Sequence, residues 1–409
     1  MNFLFNSTSY KPSYRQGGPI FSVSALAEAL VAAGHSVTVL AANLDLGQRL
    51  EVDCQCDHEI EGVRVRYFEA KPTLLQKTGL PAFARAGVFT FGPAFGRWLN
   101  DHGRQHDVLD NQITYTLTNG LVSKCAARFL KLSFYHQRGN LDPKRLSIKR
   151  WKKAVYLRLR ELPIMRRAHL LVALTAYEVE TYRRLGLRNR IEIIPNGIQS
   201  DLIPNRRLQP SRKIADILDR LREAPTFLFM SRILPLKGPD LFVEGFMRCA
   251  ARFPLAQAVL VGPDEGQMCA SFERQLAAAG LSQRFHYPGA ISGDDKLAIL
   301  QRADAFVLPT GSEGFSMALL EALASRCAIV TTPDAYFPEI VRARAGFIVG
   351  RTSVEVGEAM ARLLEGGRSA MAEMGGNGWR LAQQYSWPAI AERYAAIAGE
   401  IKKQQEVTA

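Results

Sequence analysis

The stretch that decides the fold is Ala303–Leu323, which reads ADAFVLPTGSEGFSMALLEAL. Ala305 to Leu308 is a short apolar run, and it stops at Pro309 and the small polar residues Thr310, Gly311 and Ser312. A buried parallel strand looks like this when it ends at the rim of a sheet. From Ser316 onward the pattern turns helical, with Met317, Ala318, Leu319, Leu320, Glu321, Ala322 and Leu323 all good helix formers. The unit therefore reads strand, glycine-bearing loop, helix. Open α/β sheets bind ligands at the carboxyl ends of their strands, where such loops lie. Gly314 would let a ligand approach the backbone, and the N–H groups of Phe315, Ser316 and Met317 would face it as an anion site at a helix N-terminus.

Two carboxylates bracket this turn, Glu313 and Glu321, eight residues apart. On an ideal helix that separation leaves them about 80° apart, so they do not stack as one dyad. Glu313 is expected in the loop and Glu321 in the third turn, gripping two different parts of an elongated ligand. The competing reading is a capped helix with one loop acid and one solvated acid, and spacing alone does not separate the two.

The segment Glu313–Glu321, EGFSMALLE, resembles the E-x7-E element of the retaining glycosyltransferases of family 4, which have the two-domain GT-B fold. The resemblance implies that Glu313 addresses hydroxyls of the transferred sugar and Glu321 the ribose of a nucleotide. The amides of the Gly314 loop would hold the diphosphate. It also implies an α/β architecture of two Rossmann-like domains, with parallel sheets facing across a cleft.

Composition sets the frame for that resemblance. At 409 residues the chain should make two or three domains, and 47% hydrophobic with 22% charged residues is ordinary for a globular protein. No stretch of 18 apolar residues is free of charge, so no transmembrane helix is expected. The N-terminus, MNFLFNSTSYK, has no basic region ahead of a long apolar segment, which points to the cytoplasm. The six cysteines (54, 56, 125, 249, 269 and 327) are scattered without zinc spacing and read as reduced structural thiols, so no metal site is expected. A formal net charge of +13 calls for a nucleic acid, an anionic lipid or a phosphate-bearing substrate.

In chain order, strand Asn2–Asn6 leads through a Ser- and Tyr-rich loop to Gly17-Gly18, a helix to Ala33, and strand Val37–Leu40. GxGxxG is absent, which counts against a dinucleotide site. Gly17 and Gly18 read either as a tight turn or, by the resemblance, as a turn beside acceptor and donor phosphates. Val63–Phe68 reads as a strand, Phe83–Leu99 as a helix, and Leu132–Tyr135 as a strand running into His136 and Arg138-Gly139. The family has a His-Gly or Arg-Gly turn at this point. Arg138 aligns with it better than His136 does, so either residue is a candidate on the acceptor side. From Lys144 to Arg167 there are ten Lys or Arg against one acid, Glu161, and Trp151, Val155, Leu159 and Leu162 form one helical stripe. That pattern fits a basic amphipathic helix on an anionic membrane surface, or equally a surface helix packing its stripe on the core.

Strand Ile191–Ile194 ends in Pro195-Asn196-Gly197-Ile198, a good turn that also resembles the family's exit from its N-terminal domain. Residues 201–224 read as a linker. Strand Thr226–Met230 is followed by Arg232 and Lys237, two cations at a strand exit able to neutralise a departing diphosphate, as the equivalent family residues do. Ile291 follows Pro288-Gly289-Ala290, where family members hold the nucleotide base through backbone groups. Trp387 opens a last helix that in this fold returns to the first domain.

The reading is thus a first domain of residues 1–200 joined by a crossover helix (386–409), and a donor-binding domain of residues 225–385. The expected activity is metal-independent, retaining transfer of a sugar from a nucleotide diphosphate sugar, with no further cofactor. The acceptor would be a glycan or lipid-linked glycan, in bacterial surface polysaccharide or lipopolysaccharide synthesis at the inner face of the cytoplasmic membrane. No nucleic-acid partner is expected, because the basic segment lacks interleaved base-stacking aromatics. The alternatives are a non-catalytic basic module for membrane or nucleic acid, and a nucleotide-sugar epimerase of the same fold.

Overall fold

The computed structural model describes residues 1–14, 18–45, 48–72, 89–90, 92–143, 150–199 and 207–408. The chain divides into two compact units, Met1–Gly197 with Trp387–Ala409, and Ile198–Ser386.

The first unit is built on eight strands: β1 (Asn2–Asn6), β2 (Ser36–Ala42), β3 (Asp57–Ile60), β4 (Val63–Phe68), β5 (Val108–Asn111), β6 (Leu132–His136), β7 (Leu170–Ala173) and β8 (Ile191–Ile193). They lie in the order β8-β7-β6-β5-β1-β2-β4-β3. Every pair is parallel except β3 with β4, a hairpin whose turn, Glu61-Gly62, has positive φ at both residues as a twisted two-residue connection requires. Central strands are apolar on both faces, so Phe3, Leu4 and Phe5 of β1 are all fully buried. One face is covered by helices Gly18–Ala32 and Trp387–Thr408. On the latter, Trp387, Ile390, Tyr394, Ile397 and Ile401 recur at helical spacing, and the Tyr394 ring lies 5.7 Å from Phe3 and 6.2 Å from Phe5. Each large side chain so buried contributes about 1.5–3 kcal/mol.

The second unit has six parallel strands: β9 (Thr226–Met230), β10 (Gln257–Val261), β11 (Phe285–Gly289), β12 (Ala305–Leu308), β13 (Ala328–Thr331) and β14 (Gly346–Ile348). Their order, β11-β10-β9-β12-β13-β14, is the doubly wound arrangement, which reverses between β9 and β12. The exits of β9, β10 and β11 are laddered: Ser231 N–H donates to Val261 O and Gly262 N–H to Gly289 O, each at 3.0 Å. Among the described residues no helix is long and apolar enough to cross a membrane.

Three expectations need correcting. Residues 212–221 are a helix of the second unit rather than linker, because Ile214 and Leu221 are buried and the preceding Gln209 and Ser211 amides donate to Asp294 and Asp295. Glu321 falls in the second turn of its helix, Met317–Ala324, because Ser316 caps it through its hydroxyl. The Lys144–Arg167 segment does not present one continuous stripe. Lys144–Lys149 lie outside the described residues, and the remainder is helical with a π turn at Leu157–Glu161. The extra residue of that turn shifts the helical phase. Trp151 (69% exposed), Val155 and Leu159 (68%) therefore face outward while Leu157, Leu162 and Met165 pack inward. The expected helix Phe83–Leu99 is described only from Gly92, where it runs to His102.

At Gly262, φ is +143° and an added Cβ would collide with the Ser231 carbonyl. Gly262→Ala should therefore lower the melting temperature of the second unit, measured by calorimetry, and an unchanged melt would contradict this account of the strand exits.

Candidate active site

The point where strand order reverses is where an open parallel sheet offers a ligand site, since the loops after the two central strands diverge there. In the second unit those loops follow β9 and β12. The β9 exit passes through a short 3-10 turn, Pro235–Lys237, to Gly238 at φ +72°, which opens helix Pro239–Arg252. A side chain at Gly238 would strike the Pro309 carbonyl, so the missing Cβ lets the β9 and β12 exits touch. Gly311 N–H then donates to Leu236 O at 2.7 Å, and Glu313 N–H to Asp334 O at 3.1 Å.

This packing brings Lys237 to Glu313. The lysine Nζ donates to Glu313 Oε1 at 2.6 Å and lies 3.4 Å from Ser312 O. Both side chains are nearly enclosed, 8% and 11% exposed. Glu321 has a lysine of its own: Lys296 Nζ, from helix Gly293–Arg302, donates to Glu321 Oε1 at 2.6 Å. Arg232 is more open, 56% exposed, with Nη1 3.4 Å from Glu265 Oε2. Between the two acids the helix Met317–Ala324 begins, and its first amides have no carbonyl a turn earlier to accept them. Phe315 anchors this turn by packing on Phe337 and Tyr385, with ring centroids 5.0 and 5.5 Å away. Gly314 and Met317 lie at the same helix start, both half-buried. Ile291 lies after β11, at the same carboxyl rim, also half-buried.

Lys296 was not singled out in the sequence, where it follows Asp294-Asp295 and reads as part of a solvated helix face. Nothing local marks it, because its partner lies 25 residues on and meets it only through the fold.

The first-unit candidates are differently placed. Gly17 lies outside the described residues, and Gly18 opens helix Gly18–Ala32. His136 and Arg138, at the β6 exit, are 2% and 8% exposed. His136 Nε2 is 3.0 Å from Asp110 Oδ2, an oxygen that also accepts from Gln112 and from the Tyr394 hydroxyl. Burial holds the His136 pKa below its ordinary value, against the opposing pull of Asp110. Arg138, at φ +47°, donates to Gln112, to Ser22 Oγ at 2.9 Å and to Asn196 Oδ1 at 3.4 Å. Burial lowers its pKa to about 10. The geometry thus ties Arg138 to Gln112, Ser22 and Asn196 inside the unit. His136, Arg138 and Asn196 all line a cavity of about 10 Å³. Strand-end polarity alone could not reveal this, because the residues that enclose them come from distant parts of the chain.

The family described as "Glycosyl transferases group 1" matches residues 211–380, and "Glycosyl transferase 4-like domain" matches residues 17–197. A GDP-mannose-dependent alpha-(1-6)-phosphatidylinositol monomannoside mannosyltransferase of Mycobacterium tuberculosis is 27% identical over 217 residues, 50% of this chain and 54% of that protein. A D-inositol 3-phosphate glycosyltransferase of Salinispora tropica is 30% identical over 226 residues, 52% of this chain and 46% of that protein. The chain thus spans about half the length of the curated relatives it matches. Among solved structures, Anabaena HepE in complex with UDP superposes with a TM-score of 0.73 at 18% identity, over 98% of this chain and 100% of that one. WaaG, a glycosyltransferase involved in lipopolysaccharide biosynthesis, gives 0.64 at 17% identity, over 97% and 99%.

The enclosed Lys237–Glu313 pair carries a stability prediction. Lys237→Met leaves a nearly buried carboxylate without its cation and should cost about 3–5 kcal/mol. The double variant Lys237→Met/Glu313→Gln should recover much of that loss in denaturant melts. Strictly additive losses would mean that the two groups do not interact.

Proposed function

Because the chain belongs to the group 1 glycosyltransferases of family 4, with the two-domain GT-B fold, we propose that it transfers a sugar from a nucleotide diphosphate sugar to a glycan or lipid-linked glycan. The observation that carries this reading is the pair of acids flanking one helix start at the strand-order reversal, each 2.6 Å from its own lysine. A nucleotide diphosphate sugar has two hydroxyl-bearing ends and an anionic middle, and this arrangement has acceptors at its two ends and donors in between.

In the proposed mechanism the diphosphate lies against the first amides of helix Met317–Ala324, with Arg232 and Lys237 as its cations. Charge develops on the leaving diphosphate as the anomeric carbon becomes oxocarbenium-like, and fixed donors stabilise that charge without reorganising. Glu313 keeps Oε2 for sugar hydroxyls while Lys237 holds Oε1. Glu321 addresses the ribose, and Ile291 borders the base. Retention of anomeric configuration and independence of metal are the resemblance's expectations, and we carry them as part of the proposal.

We further propose that the acceptor is lipid-linked and is met at an anionic membrane surface on the cytoplasmic side, in surface glycan synthesis. Exposed Trp151, Val155 and Leu159 beside exposed Arg158 and Arg160 support it, since apolar groups among cations suit a lipid interface. The mycobacterial relative is named for a phosphatidylinositol-based substrate.

The first test is a thermal-shift screen against UDP, GDP, ADP, dTDP and CMP. A ligand at 100 times its Kd stabilises by about 2.7 kcal/mol, so one diphosphate should stand out, and a flat response would reopen the assignment. Glu313→Gln and Lys237→Ala should each lower kcat by about 10²-fold or more after correction for the folded fraction, with full activity in either sinking the proposal. For the membrane, the variant Trp151→Ser/Leu159→Ser/Arg158→Gln/Arg160→Gln should bind anionic vesicles at least about 30-fold more weakly, from about 1 kcal/mol per lost cation. Unchanged binding would end that part of the reading.

A further inference from the structure

The two loops that bear Lys237 and Glu313 leave the sheet where it is least able to hold them. Strands β9 and β12 pair at Phe227 with Ala305 and at Leu228 with Phe306, and the pairing goes no further although β9 continues to Met230. Beyond that point the exits form an open fork, closed on one side by the Gly311–Leu236 hydrogen bond.

Arg351 spans the fork. Its Nη2 donates to Pro235 O at 2.7 Å and its Nε to Pro309 O at 3.2 Å, so one rigid guanidinium takes a carbonyl from each loop. Its plane lies against Gly311, where a Cβ would come within 3.1 Å of Nε. Lys237 sits two residues beyond Pro235, and Glu313 four residues beyond Pro309. A lysine could not do the same work, because an ammonium is a compact point charge while the guanidinium presents a fixed fork of donors.

Arg351 is itself held in place. Val349 N–H donates to Thr331 O at 2.9 Å, just after β14, and the helix Ser353–Ala382, kinked at Gly367, starts four residues later. Thr352 caps that helix by accepting from Glu355 N–H at 3.2 Å, and the Glu355 carboxylate accepts from Gly350 N–H at 2.7 Å and from the Thr352 hydroxyl at 3.3 Å. This reciprocal cap pins both neighbours of Arg351. No cap, strand end or carbonyl partner in this chain of contacts belongs to the acids and cations already assigned.

We propose that Arg351 is a positioning residue whose guanidinium sets the distance and direction between Lys237 and Glu313, so that both meet the same donor. The proposal rests on the reading of those two residues as the donor-binding pair. It assigns Arg351 no contact with substrate.

The test uses Arg351→Met, Arg351→Lys and Arg351→Ala in the full chain, with two readouts. The first is the coupling between Lys237 and Glu313, taken from a double-mutant cycle of melts. It should fall by at least half in the Arg351→Met background, whether or not a donor substrate has been found. Unchanged coupling overturns the proposal. The second is steady-state turnover, where kcat should fall at least tenfold in all three variants with KM for the donor changed less than threefold. Guanidinium ion, added well below denaturing concentration, should restore part of the kcat of Arg351→Ala. Loss of activity that only tracks the unfolded fraction, with no guanidinium rescue, would reduce Arg351 to a stabilising contact and overturn the proposal. A wild-type protein that turns over no nucleotide sugar would defeat the functional reading instead, and the coupling measurement would still decide for or against Arg351.

Discussion

The Lys237–Glu313 ion pair constrains the rest of the second unit. Enclosing two charges costs several kcal/mol per ion, and their attraction offsets that cost only when the geometry is held tightly. The surrounding features serve that end. Gly238 lacks the Cβ that would keep the Pro309 carbonyl away, Gly311 N–H bonds Leu236 O, and Ser312 O supplies the ammonium with a second neighbour. The rim of the sheet is therefore ordered by its own contacts. That is the condition under which fixed charges can act on a reaction, since nothing must be reoriented as charge develops.

What the sequence disclosed and what it hid divide along chain separation. Strand Ala305–Leu308 and the helix after the Gly314 loop were legible because each depends on neighbours a few residues away. The pairing of Lys237 with Glu313 spans 76 positions and was not foreseen, since the family resemblance assigned Lys237 to the diphosphate and Glu313 to the sugar. Lys296 and Arg351 had no signal at all, since a lysine after two aspartates and an arginine before a threonine look like solvated surface. The placing of Glu321 in the third turn failed for a local reason: Ser316 takes the cap, so counting begins at Met317. The single stripe expected over Trp151–Leu162 assumed 3.6 residues per turn, and the π turn at Leu157–Glu161 breaks that period.

The first unit shows why a polar residue at a strand exit is an ambiguous sign. Register places Asp110 beside Phe134 on β6, two residues before His136, and the Tyr394 hydroxyl arrives from 284 residues away to bond the same carboxylate. Arg138 then finds its acceptors in Gln112, Ser22 and Asn196. The following Gly139 amide donates to Glu178, which also accepts from Leu174 N–H at 2.7 Å. A buried guanidinium with several acceptors is a strong cross-link, because truncating it would leave those acceptors without their donor. The Arg138 turn, which resembles a family site, is thus tied to strand exits, a helix start and the Asn196 turn.

The presence of a lysine on each acid also bears on how a donor would bind. Lys237 and Lys296 each face a carboxylate at 2.6 Å, so neither is an uncompensated cation awaiting a phosphate. Attraction for a diphosphate would then come mostly from the more exposed Arg232 and from the amides at the helix start, which act at short range. Binding would proceed by exchange of partners, with Lys237 shared between Glu313 and the leaving phosphate. Such sharing favours the state with the greatest charge on that phosphate, and in sugar transfer that charge grows as the bond to the anomeric carbon breaks. A site arranged in this way would hold the donor moderately and its transition state more tightly, the difference in binding that accelerates a reaction.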